Sequence, residues 1–134
     1  MSAAVSIVPD ALKPVAQRYN YSSAVRAGDF LFCAGQVGRD ADMKVVEGTE
    51  AQFVQTFENC NAVLAAAGAT WADVIDVVTF HVGLQAHLAE FIAVKDRYIP
   101  RTDTPPAWTA IGVTEMSTPG MIIEIKMTAY LPGR

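Results

Sequence analysis

One carboxylate stands inside the longest strand-like run of this chain. From Met121 to Leu131 the odd positions Met121, Ile123, Ile125, Met127, Ala129 and Leu131 are apolar, and the even positions Glu124, Lys126, Thr128 and Tyr130 are polar or amphipathic. A period of two marks a strand with one face in the core and a second face turned away from it. Glu124 shares that second face with Ile122, so the face need not be simply solvated. A carboxylate that is partly desolvated becomes a stronger base and suits general acid/base work. The plain alternative is a charge beside Lys126 on a wet sheet face. Spacing alone favours it, because most surface carboxylates do nothing catalytic.

Few other residues carry chemistry. His81 ends the run Val77-Val78-Thr79-Phe80. It titrates near neutral pH, which would let it exchange protons with Glu124 or a ligand. A lone strand histidine is more often a satisfied structural residue, and that reading stands ahead. His87 opens the second helical segment and reads as a helix-start or surface residue. Glu115, in the loop Val113-Thr114-Glu115-Met116, is either at a cleft mouth or, the favoured reading, a solvated loop charge. Trp108 is either a core or interface anchor or a stacking wall for a planar substrate. Cys33 and Cys60 form neither a CxxC pair nor a Cys/His metal spacing, and read as reduced core thiols. No metal and no cofactor are expected.

The elements that position these residues follow from periodicity and punctuation. Residues 1 to 20, with Pro9 and Pro14, read as an irregular arm. Ser22 to Arg26 and Phe30 to Ala34 form a hairpin over residues 22 to 35, turning at Ala27-Gly28-Asp29. Gly35 follows, where close backbone approach to something would make a side chain unwelcome. Lys44-Val45-Val46 is a short extended piece in a polar loop. Thr49 with Gln52 reads as a capping box. Phe53, Phe57, Cys60, Leu64 and Ala67 then keep one helical face until Gly68. Trp71-Ala72-Asp73 is a helical turn, and Val74 to Val82 is strongly β-prone. Leu88 to Ile99 is a second helix with Leu88, Phe91, the Lys95 stem and Ile99 inward, and Pro100 stops it. Ala107 to Gly112 and Met121 to Leu131 are the last strands. The order β-β-α-β-α-β-β predicts an α+β layer, a single mixed sheet with two helices on one face.

At 134 residues the chain reads as one domain, 1–134, large enough for its own core. It is 51% hydrophobic and 18% charged, which leaves apolar surface to spare and favours an oligomer. Net charge is −4 and no basic run exists, so the electrostatic footprint for nucleic acid is missing. No apolar stretch approaches membrane-spanning length and no signal peptide is apparent, so the cytoplasm is the default and no membrane partner is expected.

Four blocks stand in a recognisable order and spacing: Tyr21-Ser22-Ser23-Ala24-Val25, Phe30-Leu31-Phe32-Cys33-Ala34-Gly35-Gln36-Val37, Pro106-Ala107 and Ile123-Glu124-Ile125. Over residues 15 to 131, roughly, the chain resembles the Rid (reactive intermediate deaminase) family, also called YjgF or endoribonuclease L-PSP. The resemblance implies a chorismate-mutase-like fold, a homotrimer, and ligand clefts between adjacent subunits. Tyr21 matches the family tyrosine that closes over the ligand. Gly35 matches the glycine whose backbone lies beside it. Glu124 matches the glutamate that positions or activates water in imine hydrolysis.

Three positions depart from the family pattern. Trp108 stands where deaminating members have an arginine gripping the substrate carboxylate, a task suited to a two-pronged guanidinium. Ala110 replaces a cysteine, and Ala34 replaces the serine before Gly-Gln. A neutral indole supplies one hydrogen bond and no charge, so activity on 2-aminoacrylate is not expected. Two readings follow. One is a hydrolase or isomerase of another reactive imine, enamine or related carbonyl compound, with Glu124 positioning water, Tyr21 covering the site, and Trp108 and Ala110 lining it. The other is a non-catalytic small-molecule-binding or chaperone-like trimer. An endoribonuclease ranks below both, on charge and for want of a His/Lys/Arg cluster.

Overall fold

The alternation read from Met121 to Leu131 becomes the central strand of the molecule. The computed structural model describes residues 3–134. Its strands are β1 (Val5–Ile7), β2 (Ala24–Ala27), β3 (Phe30–Cys33), β4 (Gln36–Val37), β5 (Val74–His81), β6 (Ala107–Gly112) and β7 (Ile123–Tyr130). Its helices are α1 (Lys13–Tyr19), α2 (Thr49–Ala66) and α3 (Leu84–Tyr98). All seven strands form one sheet in the order β1-β2-β3-β7-β5-β6, with β4 also paired to β7. Every pairing is antiparallel except β5–β6, the two strands that α3 connects.

Hydrophobic burial fixes which face is which. Ile123, Ile125, Met127 and Ala129 point into the core with Phe53, Phe57, Cys60 and Leu64 of α2 and Phe91 of α3. Both cysteines are buried and unbridged, and burial pushes the Cys33 thiol up to about 11. The opposite face carries Phe30, Phe32, Ile111 and Tyr130, each at least 40% exposed. Phe30 and Tyr130 pair across strands with ring centroids 5.2 Å apart.

Four local expectations need correction. The N-terminal arm is ordered from β1, which pairs with β2, through a 3-10 turn at Asp10–Leu12 into α1. Residues 1 and 2 of that arm lie outside the described residues. Pro14 sits at the start of α1, where its missing N–H leaves no intrahelical bond unmade. Thr49 and Gln52 form no capping box: Gly48 is the N-cap, with φ +95°. Gln52 instead turns inward, donating to Val46 O at 3.1 Å and Gly120 O at 3.0 Å and accepting from Ile122 N at 2.7 Å. The second helix begins at Leu84, and its inward face is His87, Phe91 and Val94, with Lys95 beside it. His87 is therefore buried, not a surface residue.

Candidate functional site

Glu124 lies on β7 between Val37 of β4 and Phe80 of β5. That row belongs to the face opposite the helices, and Glu124 is half-buried there. Burial pushes its pKa above the usual carboxylate range, and Lys126 opposes the shift. Lys126 Nζ donates to Cys33 O at 2.9 Å. A proton acceptor with raised basicity therefore sits on the strand face where the alternation placed it.

Gly35 is explained by the same carboxylate. A Cβ at position 35 would stand 2.5 Å from Glu124 Oε2, 2.7 Å from Cδ and 2.9 Å from Cγ. The glycine is a matter of space: any side chain would displace Glu124. On the other side of Gly35 opens a cleft of about 250 Å³, bounded by Leu12 and Val15 of the N-terminal segment, Tyr21, Val37 and Asn59 of α2. The cleft exists because β2 pairs with β3 and stops, leaving the outer edge of β4 free. Asn59 Nδ2 satisfies part of that edge, donating to Val37 O at 2.7 Å and Arg39 O at 2.9 Å. Tyr21 and Gly35 thus line one cleft, and Glu124 packs against Gly35 without itself lining that cleft.

The remaining candidates lie elsewhere. His81 is fully buried on the helix side, in register with Ile123, while Glu124 is in register with Phe80. Neighbouring positions on a strand point to opposite faces, so His81 and Glu124 exchange no proton within the chain. Trp108 and Ala110 share the helix side with Val77 and Thr79. Trp108 is an anchor at that edge: its Nε1 donates to Thr79 Oγ1 at 3.0 Å and its ring packs 6.2 Å from that of Phe91. Within one chain it is no wall beside Glu124. Glu115 is exposed in the β6–β7 loop and lines a separate depression with Val82 and Met121, apart from Tyr21 and Gly35.

His81 belongs to a buried polar chain that sequence reasoning missed. Its Nε2 meets Thr79 Oγ1 at 2.7 Å and its Nδ1 meets His87 Nε2 at 3.1 Å. The Trp108 indole can only donate, so the Thr79 oxygen accepts from it, and one arrangement that pairs every proton has the Thr79 hydroxyl donating to His81 Nε2. His81 Nδ1–H then donates to His87. This assignment leaves both imidazoles neutral and none of the Trp108, Thr79 or His81 protons unpaired. Burial first, then the neighbouring His87, lower the His81 pKa to about 4. The six-residue separation of the two histidines spans a strand end and a helix start, which hid their contact. Among the described residues no three His, Cys, Asp or Glu side chains gather to hold a metal ion.

Comparison with known proteins agrees with this architecture. The family model described as endoribonuclease L-PSP matches residues 10–131. The RutC family protein YjgH of Escherichia coli is 40% identical over 114 residues, 85% of each chain. A RutC family protein of Pyrococcus horikoshii is 34% identical over 129 residues, covering 94% of this chain and 96% of its own. A solved structure of a protein named YJGH superimposes with a TM-score of 0.89 at 34% identity, covering 99% of this chain and 100% of that one. RidA from an Antarctic Psychrobacter superimposes with a TM-score of 0.75 at 31% identity, over 83% of this chain and 88% of that one. The chain belongs to the endoribonuclease L-PSP family, the Rid/YjgF proteins, and has their α+β fold.

Proposed function

We propose that this protein hydrolyses or isomerises a small reactive imine, enamine or related carbonyl compound other than 2-aminoacrylate, in a cleft completed when copies associate as a homotrimer. The observation that carries this reading is the half-buried Glu124 carboxylate, with raised pKa, filling the space left by Gly35. In imine hydrolysis the Glu124 carboxylate takes a proton from water as the oxygen adds to the C=N carbon. The carboxylic acid then returns that proton to nitrogen. The carboxylate, regenerated, then takes the hydroxyl proton of the carbinolamine and delivers it to nitrogen as the C–N bond breaks, releasing ammonia or an amine and leaving the carbonyl compound. The Tyr21 ring, 43% exposed beside Gly35, supplies a cover for the bound molecule. Glu124→Gln keeps the shape and accepts no proton. It is expected to abolish turnover of the true substrate while trimer and ligand binding persist; full activity would remove the mechanism.

Exclusion of 2-aminoacrylate rests on Trp108. Its single N–H is already donated to Thr79, so the indole has nothing left for a carboxylate. An amino-acid oxidase generating the imine in the presence of semicarbazide is expected to give undiminished semicarbazone, and Trp108→Arg tests whether a restored guanidinium brings activity back. Suppression by the wild-type protein equal to that of an arginine-bearing relative would overturn this. The second reading, a ligand-binding trimer without turnover, is favoured by the largely apolar lining of the cleft from Leu12, Val15 and Val37. Native mass spectrometry of the purified assembly, followed by a turnover assay on whatever is retained, separates the two.

A further inference from the structure

We propose that Lys126, reaching from β7 into a bulge between β3 and β4, is a positioning residue for the Glu124 base: its fixed ammonium keeps that carboxyl ionised until a proton has to be taken. The proposal deepens the hydrolase reading and rests on it.

The bulge follows from the register along β7. Phe32 of β3 stands opposite Thr128, and Gln36 of β4 stands opposite Ile125. Between those pairs Cys33, Ala34 and Gly35 face only Met127 and Lys126, so one extra residue is inserted. Both sides of the bulge are tied down. Ala34 N donates to Ser23 O at 2.9 Å on the β2 side, and Lys126 Nζ donates to Cys33 O at 2.9 Å from β7. Gly35, the last residue of the bulge, is the one that lies against the Glu124 carboxyl.

Lys126 and Glu124 share one face of β7, about 7 Å apart along the strand. They form no ion pair among the described residues, and the ammonium is engaged by Cys33 O. The charge therefore acts across space without covering the carboxylate. Lys126 is the one charge that acts on Glu124 among the described residues. The cross-strand neighbours of Glu124 are Val37 on β4 and Phe80 on β5, and Gly35 closes the bulge side. Beyond β4, the Arg39 guanidinium is turned to Thr118 Oγ1. Asp76 of β5 stands opposite Thr128, and Tyr130 opposite Phe30, both further along the same face. The Cys33 thiol is buried in the core.

A cation in that place serves the proposed reaction twice. Burial by itself favours the protonated carboxyl, which is no base, and the ammonium restores the carboxylate for the first proton transfer. Once Glu124 carries the proton, the same ammonium makes it a readier acid toward nitrogen.

The test titrates Glu124 in the ligand-free protein, through the carbon NMR resonance of its side-chain carboxyl, assigned by its loss in Glu124→Gln. Wild type is compared with Lys126→Met and Lys126→Arg. Methionine keeps most of the stem and removes the charge and the donor; arginine keeps both. The expected result is a midpoint at least about half a pH unit higher in Lys126→Met. Lys126→Arg is expected to return it to the wild-type value, and high salt to shrink the difference. A merely structural Lys126 gives the opposite sign: with the bulge opened, water reaches Glu124 and its midpoint falls toward the ordinary carboxylate value. A fall in Lys126→Met, or no change, overturns the proposal. Turnover is read separately. A raised midpoint in a protein that turns nothing over keeps the role of Lys126 and removes the hydrolase reading; an unchanged midpoint in a protein that hydrolyses an imine does the reverse.

Discussion

Two residues define what position-by-position substitution would reveal. Gly35 has no side chain because Glu124 occupies that space, and the obstructing atoms belong to a side chain that can rotate away. Gly35→Ala is therefore expected to cost less than about 1 kcal/mol of stability and to remove activity by displacing the carboxylate; thermal unfolding beside a turnover assay checks both. His81 makes a pH prediction. Its folded pKa is about 4 against an ordinary 6.5, so between those values the unfolded chain binds more protons. The stabilisation from keeping this imidazole neutral is complete above about pH 6.5 and is lost as pH falls to about 4. Glu124 acts in the other sense, since its raised pKa lets the folded carboxyl take up a proton first. Imidazole NMR resonances separate the two: His81 is expected to stay neutral until about pH 4, and a His81 ring that titrates near its ordinary value would show that the buried chain is open.

At the scale of elements, the join between α2 and the loops around it depends on Gln52. Its amide serves three backbone groups, from Val46, Gly120 and Ile122, that no other group reaches in the described structure. Gln52→Leu leaves those groups unpaired beside a 3% exposed position. The expected loss is about 3 kcal/mol, measured by urea unfolding, and a loss below about 1 kcal/mol would mean that water replaces the amide. Gly38 belongs to the same join. A Cβ there would meet the Gln52 backbone oxygen at 2.7 Å, and backbone cannot rotate aside. The free edge of β4 and the ordered N-terminal segment together make the cleft, so the position of α1 bears directly on the site.

The whole molecule presents an apolar sheet face opposite its helices. Phe30, Phe32 and Tyr130 cluster there with Ile111 exposed further along the same face, and an exposed apolar patch of this kind is a candidate contact surface. A homotrimer burying on the order of 2,000 Å² per interface would cover them and bring different chains' edges together. Sedimentation at micromolar protein is expected to show the trimer, and Phe32→Asp is expected to shift it to smaller species while retaining helical circular dichroism. A stable wild-type monomer would sink both the assembly and the composite cleft.

Short-range patterns determined much of this protein. The odd-position apolar row of Met121 to Leu131, the Gly28 turn, the Phe53–Leu64 helical face and the β-prone run to His81 all became the elements expected, because alternation and 3.6-residue spacing are local consequences of burying one face. Of the blocks around Tyr21, Gly35 and Glu124, the structure sets Gly35 against Glu124 and puts Tyr21 and Gly35 on one cleft. Tertiary structure decided what depends on distant partners. Gln52 reads as a cap because its spacing from Thr49 fits one, yet the orphan groups of the 120–122 loop draw it inward. The N-terminal segment lacks periodicity, and gains order by pairing with β2. His87 reads as a surface residue until His81 is set beneath it. Trp108 and Glu124, paired by resemblance, fall on opposite sides of one sheet, since the pleat fixes the direction of each side chain once the register is set.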